Sequence, residues 1–413
     1  MNPPDPRATA RSRATLLALA YLAFVSLGLP DVVLGVAWPS VREEFGLAQA
    51  LLGVPLAIAA IAYFCSGLLA GRLMERWGIG RLLAASTALV AASVFGYGSA
   101  PAFGLFLLAA PFAGFGSGAI DAALNTHAAR SFSARHMSWL HAAYSAGAMA
   151  GPVIMTAVLA RGSPWRTGYA VVAVLLAALV PAFVLSRRRW GATPPRAGEA
   201  EVVLDAPGHL GPTALSPGEH PVGTFAALQS GRVRLQTGIF FVYTGLEIAA
   251  GQWCYTVLTE SRGMGTTEAG VWTSAYWGGI LVGRLVLGLA VEIVGPVRLL
   301  RLSMVGAVVF ALLFALPGLP LPGAALPLLS FSLASIYPGL MSETPRRVGD
   351  RLAPHAVGFQ VSAATAGVAA VPALAGVLGE WWGLEAIGFV LVACALAMLL
   401  LHERLVALAD RRA

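Results

Sequence analysis

The sequence predicts an all-α membrane protein, with twelve transmembrane helices arranged as two pseudo-symmetric six-helix bundles. Three observations carry this expectation. Of the 413 residues, 57% are hydrophobic and only 11% are charged, whereas a water-exposed surface calls for roughly a quarter charged residues. Apolar runs of bilayer-spanning length, roughly 20 residues, recur from Ala14 to His402. The string Gly71-x-x-x-Glu75-x-x-Gly78-x-x-Arg81-Leu82-Leu83 returns with identical spacing as Gly288-x-x-x-Glu292-x-x-Gly295-x-x-Arg298-Leu299-Leu300, about half a chain later. Barrel strands would alternate apolar and polar residues over about ten positions, and these runs are solidly apolar. Lipid forces backbone groups to pair within each segment, so the runs are expected to be helices.

The first half supplies six spans, at 14–39, 49–73, 81–99, 102–128, 137–160 and 165–186. The first follows a polar tail, 1–13, and has no small-residue cleavage site, so it reads as a retained span and not a removed signal peptide. It carries Pro30-Asp31 about two-thirds of the way along. The second ends in the first copy of the repeated string, and the third begins where that copy ends. Gly114, Gly116 and Gly118 in the fourth let it approach a neighbour closely. The fifth carries Gly147-x-x-x-Gly151-Pro152, and the sixth ends on Arg187-Arg188-Arg189. The stretch 190–229 holds six prolines, many glycines and four acids, Glu199, Glu201, Asp205 and Glu219. It cannot bury a core and reads as a disordered cytoplasmic tether. Six further spans follow at 234–259, 268–291, 296–316, 321–342, 355–378 and 384–402. The expected plan is a tail 1–13, a bundle 14–189, a linker 190–229, a bundle 230–403 and a tail 404–413.

All 27 basic residues are arginine, which excludes Schiff-base and catalytic-lysine chemistry. They gather at helix ends and not in one stripe, so they speak for topology and against nucleic-acid binding. Arg7, Arg11, Arg13, Arg72, Arg76, Arg81, Arg130, Arg135, Arg187–Arg189, Arg298, Arg301, Arg346, Arg347, Arg351, Arg404, Arg411 and Arg412 fall on one side of twelve spans. The other side has Arg42, Arg161, Arg166 and Arg262, some offset by Glu43, Glu44, Glu260 and Glu268. The positive-inside rule then puts both termini in the cytoplasm. Cys65, Cys254 and Cys394 lie in apolar runs without a paired spacing, so neither a disulfide nor a metal site is expected. No spacing points to a cofactor or an enzyme.

A charge at mid-membrane costs at least about 2.5–3.5 kcal/mol, so the few found there need a purpose. Asp31, Asp121, Glu247 and Arg284 lie well inside spans. Asp31 is either a proton carrier in a cavity or an acid capping a helix freed by Pro30. Asp121 has Asn125 four residues on, hence on one face. The pair can share a hydroxyl-rich ligand or a proton path, or can bond helix to helix. Glu247 lies within one residue of the repeat equivalent of Asp31. Arg284 calls for an acid, Glu247 or Asp121, in a structural pair or a transport gate. A wall for a small polar solute needs aromatic faces and a few amides or hydroxyls. The candidates are Asn125, His141, Tyr144, Gln252, Trp253, Trp272, Tyr276 and Gln360, with packing as the alternative role for each aromatic.

The two repeated strings, after the second and eighth spans, resemble the loop signature of the major facilitator superfamily, Gly-x-x-x-Asp-Arg-x-Gly-Arg-Arg. The first copy matches at Gly71, Arg76, Gly78 and Arg81, with Glu75 for the acid; the second matches at Gly288, Gly295 and Arg298, with Glu292 for the acid. The resemblance covers the whole length and implies two six-helix bundles rocking around a central cavity. In it these loops act as gating latches, built from charge-assisted bonds that break and reform between states. A narrower likeness lies in Leu27-Gly28-Leu29-Pro30-Asp31-Val32-Val33-Leu34 and Ala119-Ile120-Asp121-Ala122-Ala123-Leu124-Asn125. Both are similar to the fucose/proton symporter group, in which acids in the first and fourth spans handle the proton. This chain departs by having Asp121 where that group has Glu, His141 where it has Gln, and Tyr144 where it has Asn.

The resemblance implies a proton-coupled carrier of a monosaccharide or similar small polar solute in a bacterial inner membrane. Asp31, Asp121 and Glu247 would be the proton-coupling acids, and sodium is the alternative coupling ion. A proton-driven drug or metabolite efflux antiporter is the second reading. It is weakened by Ala110, where efflux members carry Arg, and by Met155 and Thr156, where they close a glycine motif. A non-transporting membrane sensor is the third.

Overall fold

The computed structural model describes residues 6–131, 134–190, 224–316, 323–349 and 352–410. The expected tether at 190–229 falls almost wholly outside these residues, as do the last residues of the C-terminal tail. Among the described residues the secondary structure is helical throughout. In chain order, the helices before the tether are α1 (Pro6–Asp31), α2 (Val33–Phe45), α3 (Gly53–Trp77), α4 (Ile79–Ser99), α5 (Phe103–Ser131), α6 (Ala134–Leu159) and α7 (Trp165–Ser186). After it come α8 (Gly231–Thr256), α9 (Thr266–Val294), α10 (Pro296–Ala315), α11 (Ala325–Leu333), α12 (Ile336–Ser342), α13 (Thr344–Val348), α14 (Ala353–Trp382) and α15 (Ala386–Asp410).

Eleven stretches among the described residues are long and apolar enough to cross a membrane. The first joins α1 to α2 and the tenth expected span joins α11 to α12. The twelfth span is α8. Its 26 residues are ample at about 1.5 Å of rise each, but Arg232, Arg234, Gln236, Glu247 and Gln252 lower its hydropathy. The least apolar span is thus one that carries a mid-membrane acid. The helices also run past the expected ends, α1 starting at Pro6 and α15 reaching Asp410. A helix that leaves the bilayer keeps its internal hydrogen bonds in water, and hydropathy alone cannot see where it stops.

The chain forms two compact units. The first comprises Met1–Ala37 and Ile61–Ala206, and the second Trp38–Ala60 and Pro207–Ala413. In the first unit α1 packs on α6, and α4 packs on both α5 and α7. In the second unit α8 packs on α14, and α10 packs on both α11 and α15. These are the same pairings, first span with fifth, third with fourth and sixth, so the sequence repeat is also a repeat of packing. The α1–α6 contact is backbone-close, because a Cβ on Gly28 would stand 2.1 Å from the carbonyl oxygen of Tyr144.

The repeated strings fold alike. Gly78 (φ +75°, ψ 153°) and Gly295 (φ +84°, ψ 147°) take a positive-φ extended conformation that disfavours any side chain. Each donates back into the helix it ends, Gly78 N to Met74 O at 2.8 Å and Gly295 N to Val291 O at 3.0 Å. Each carbonyl then starts the next helix, accepting from Leu82 N and Leu299 N respectively.

The second unit also takes in the tip of the α2–α3 hairpin. Arg42 donates to both carboxylate oxygens of Glu260 at 3.2 and 3.1 Å, and Gln49 Nε2 donates to Glu260 at 2.7 Å. Trp38 Nε1 donates to Gln49, and Ala50 N donates to Glu380. Glu260 sits in a π-helical turn, Val257–Ser261, that follows α8.

Candidate functional site

Pro30 has no amide hydrogen, so the helix loses a bond at this point and breaks. α1 ends at Asp31, and α2 restarts at Val33. Asp31 is exposed, though its neighbours Leu29, Val32 and Val33 are buried. Its Oδ2 accepts a hydrogen bond from the Tyr144 hydroxyl of α6 at 2.9 Å, a contact made feasible by the Gly28 crossing.

Asp121 lies in α5 with a separate donor for each oxygen. Asn125 Nδ2, one turn on, donates to Oδ1 at 2.9 Å, and the Tyr63 hydroxyl of α3 donates to Oδ2 at 2.7 Å. Gly118 lets α3 come this near, since a Cβ there would meet the Tyr63 carbonyl oxygen at 2.5 Å. The charge of Asp121 acts on Asp31, and Tyr63 senses Asp31, Asp121 and Tyr144. Tyr97 of α4 lies within reach of the Asp31 charge. Two acids, three tyrosines and an amide thus form one cluster inside the first unit.

In the second unit, Glu247 of α8 accepts from the Tyr243 hydroxyl, one turn earlier on the same helix. The Tyr276 hydroxyl of α9 donates to the Glu247 backbone carbonyl at 2.7 Å. Arg284, also of α9, is near enough for its charge to act on both Glu247 and Tyr243. Here an acid, a cation and two tyrosines meet where α8 passes α9.

The remaining candidates are spread more widely. His141 is exposed in α6, its ring edge-on to Phe24 at 5.4 Å. Gln252 and Trp253 are buried in α8, and Trp253 Nε1 donates to the Pro372 carbonyl at 2.9 Å. Trp272 packs so tightly over Gly323 that a Cβ there would meet its indole at 2.2 Å. Gln360 is fully buried and exchanges hydrogen bonds with Thr344, which also accepts from Gln236. In the repeated loops, Glu75, Arg76, Arg81, Glu292 and Arg298 are exposed. Sequence reasoning missed Tyr63, Tyr97 and Tyr243. Tyr243 had an available signal, standing four residues before Glu247 on one helix face.

Known proteins share this architecture. The family model of the Major Facilitator Superfamily matches residues 20–253. Bypass of stop codon protein 6 of Saccharomyces cerevisiae is 22% identical over 284 residues, 66% of this chain and 56% of that protein. The chain therefore spans a little over half the length of that relative. The solved structure of the nucleoside transporter NupG superposes with a TM-score of 0.70 at 16% identity, covering 96% of this chain and 98% of that one. FucP, a major facilitator transporter solved in the outward conformation, gives 0.60 at 16% identity, covering 95% and 99%. A variant of FucP, described as the E. coli fucose:proton symporter, gives 0.61 at 17% with the same coverage. These structural likenesses speak for the fold. With the family model matched over more than half of its length, on membrane-spanning helices whose packing repeats, this chain belongs to the Major Facilitator Superfamily.

Proposed function

We propose that this protein is a secondary active transporter that moves a small hydroxyl-bearing solute, a monosaccharide or a sugar-containing relative, together with protons by alternating access. The observation that carries the reading is the acid–tyrosine cluster of the first unit. Two carboxylates held inside spans, at a cost of several kcal/mol, are each met by a tyrosine hydroxyl, and Asp121 also by an amide. Such a set can exchange protons and can also hydrogen-bond a polyol. The neighbours named as a fucose:proton symporter and a nucleoside transporter support the same solute chemistry. In this reading Asp31 and Asp121 carry the proton, and Glu247 with Arg284 forms a second polar centre. The duplicated loops latch the cytoplasmic side, where both termini lie. The solute binds near mid-membrane, as in other transporters built from repeats.

The test is uptake into proteoliposomes of a panel of monosaccharides, nucleosides and amphiphilic drugs, with and without an imposed pH gradient. Uptake of a sugar or nucleoside driven by inward protons, and lost in Asp31→Asn or Asp121→Asn, is expected. Uptake indifferent to the gradient and to both substitutions sinks proton symport. Drug transport opposed to the proton gradient establishes the antiporter instead.

A further inference from the structure

The two oxygens of Asp121 are read by donors of different kinds. Asn125 is buried and presents its amide nitrogen to Oδ1. An amide nitrogen only donates, so Oδ1 must stay an acceptor. A hydroxyl can both donate and accept, and Tyr63 meets Oδ2 with one. A proton arriving at Asp121 is therefore directed to Oδ2. The new Asp121 O–H then donates to Tyr63 Oη, and the hydroxyl hydrogen of Tyr63 must turn elsewhere. It has somewhere to turn, because Tyr63 is 36% exposed. The step adds one proton and reverses one hydrogen bond, and loss of the proton restores the original direction.

We infer that Tyr63 is the positioning residue that turns protonation of Asp121 into a hydrogen-bond donor offered to the solute. With Asp121 ionised, the single hydrogen of Tyr63 is spent on the carboxylate. With Asp121 protonated, that hydrogen is free to turn to the exposed side of Tyr63 and bond a solute oxygen. Proton and solute then favour each other's binding, and by thermodynamic reciprocity they do so by the same factor. The Gly118 crossing holds the tyrosine in place. The ionisable groups that act on it are Asp31 of α1, Asp121 of α5 and Tyr144 of α6, with Tyr97 of α4 beyond Asp31 and Tyr169 of α7 beyond Tyr97. Asp31 and Tyr144 repeat the acid–hydroxyl arrangement. The inference rests on the reading of this cluster as the place where proton and solute meet.

Infrared difference spectroscopy of the purified full-length chain, titrated from acid to alkaline pH without any solute, tests it. A protonated-carboxyl band that disappears in Asp121→Asn is expected. In Tyr63→Phe that band should persist at a shifted frequency, because the acid has lost its acceptor. It should also appear about one pH unit higher, a roughly tenfold gain in proton affinity, because the carboxylate has lost a charge-assisted donor. A band unchanged in both frequency and pH by Tyr63→Phe shows a packing residue and overturns the inference. So does the absence of any band lost in Asp121→Asn. With whichever panel solute is carried, Tyr63→Phe should flatten the pH dependence of solute affinity; preserved dependence overturns the coupling role. The infrared titration needs no solute, so its outcome stands even if the sugar reading fails in uptake.

Discussion

The crossing of α1 over α6 predicts that Gly28→Ala is costly although alanine favours a helix. An added Cβ would lie 2.1 Å from the Tyr144 carbonyl oxygen and 2.7 Å from Ala148 N, where ordinary contact starts at 3.4 Å. Relief needs about 1.3 Å of separation between two backbones, 3.4 less 2.1, with no flexible side chain to absorb it. Overpacking on this scale costs roughly 1–3 kcal/mol. Movement of α6 also stretches the 2.9 Å bond from Tyr144 to Asp31 beyond hydrogen-bonding range, adding about 1 kcal/mol. Against this stands a gain of about 0.5–1 kcal/mol from replacing a helical glycine. The net loss is about 2 kcal/mol, a few degrees in thermal midpoint. Gly67 of α3 is the control, because a Cβ there meets nothing within 4 Å, and Gly67→Ala keeps only the gain. The assay is thermal unfolding of detergent-purified protein at one scan rate, since membrane-protein unfolding is often irreversible and only the ranking is read. Gly28→Ala should melt below the unsubstituted protein and Gly67→Ala at or above it. If Gly28→Ala melts as high as Gly67→Ala, the helices are not in backbone contact and the reasoning fails.

Three further outcomes follow from features outside that crossing. Gly78→Ala and Gly295→Ala should each be destabilising by similar amounts, about 1–3 kcal/mol apiece, and lower the thermal midpoint, because both force a side chain into a positive-φ extended conformation that is essentially glycine's alone; unequal effects would separate the two repeats. Arg42→Ala or Glu260→Gln should cost about 1 kcal/mol and loosen the α2–α3 tip, which Ala50 N still ties to Glu380, and the exchange Arg42→Glu with Glu260→Arg should restore much of it; a double-mutant cycle without coupling would show the bridge to be idle. Burial alone would push Glu385 up, but bonds from Arg262 and Ser261 and the Arg262 charge outweigh it and hold the carboxyl below the usual glutamate value. A lowered folded-state value means stability that is present above the unfolded value and fades as pH falls through the folded one. Glu385→Gln should therefore melt lower at neutral pH, and the gap should close on acidification below about pH 4; a gap independent of pH would refute the pairing.

Much of the fold was legible because lipid leaves the chain few choices. Twelve apolar runs and a string repeated at fixed spacing suffice to mark spans and halves, and Pro30 marks the break at Asp31. The limits are equally physical. α8 is long enough to span, yet its hydropathy is weak because it carries Arg232, Arg234, Gln236, Glu247 and Gln252, so composition alone ranks it last. Tyr63 lies inside an apolar run with no acid nearby in sequence, and its bond to Asp121 bridges 58 positions. No local pattern announces such a partner. Gln360 illustrates the converse. An amide in an apolar helix invites a ligand reading, while its bonds to Thr344 are satisfied inside the protein. The membership of Trp38–Ala60 in the second unit is likewise invisible in sequence, since its contacts lie hundreds of residues away.

That last feature bears on how the protein is made. The α2–α3 tip is synthesised early, but Glu260 lies 218 positions after Arg42, and Glu380 lies 330 after Ala50. At about 5–20 residues per second, the tip waits on the order of 15–65 seconds for its final partner. During that interval the first unit can assemble its own helices, while Arg42, Gln49 and Ala50 stay without these partners. Completion of the second unit therefore depends on a segment held in store from the beginning of translation, and a truncation before α14 would leave it permanently without Glu380.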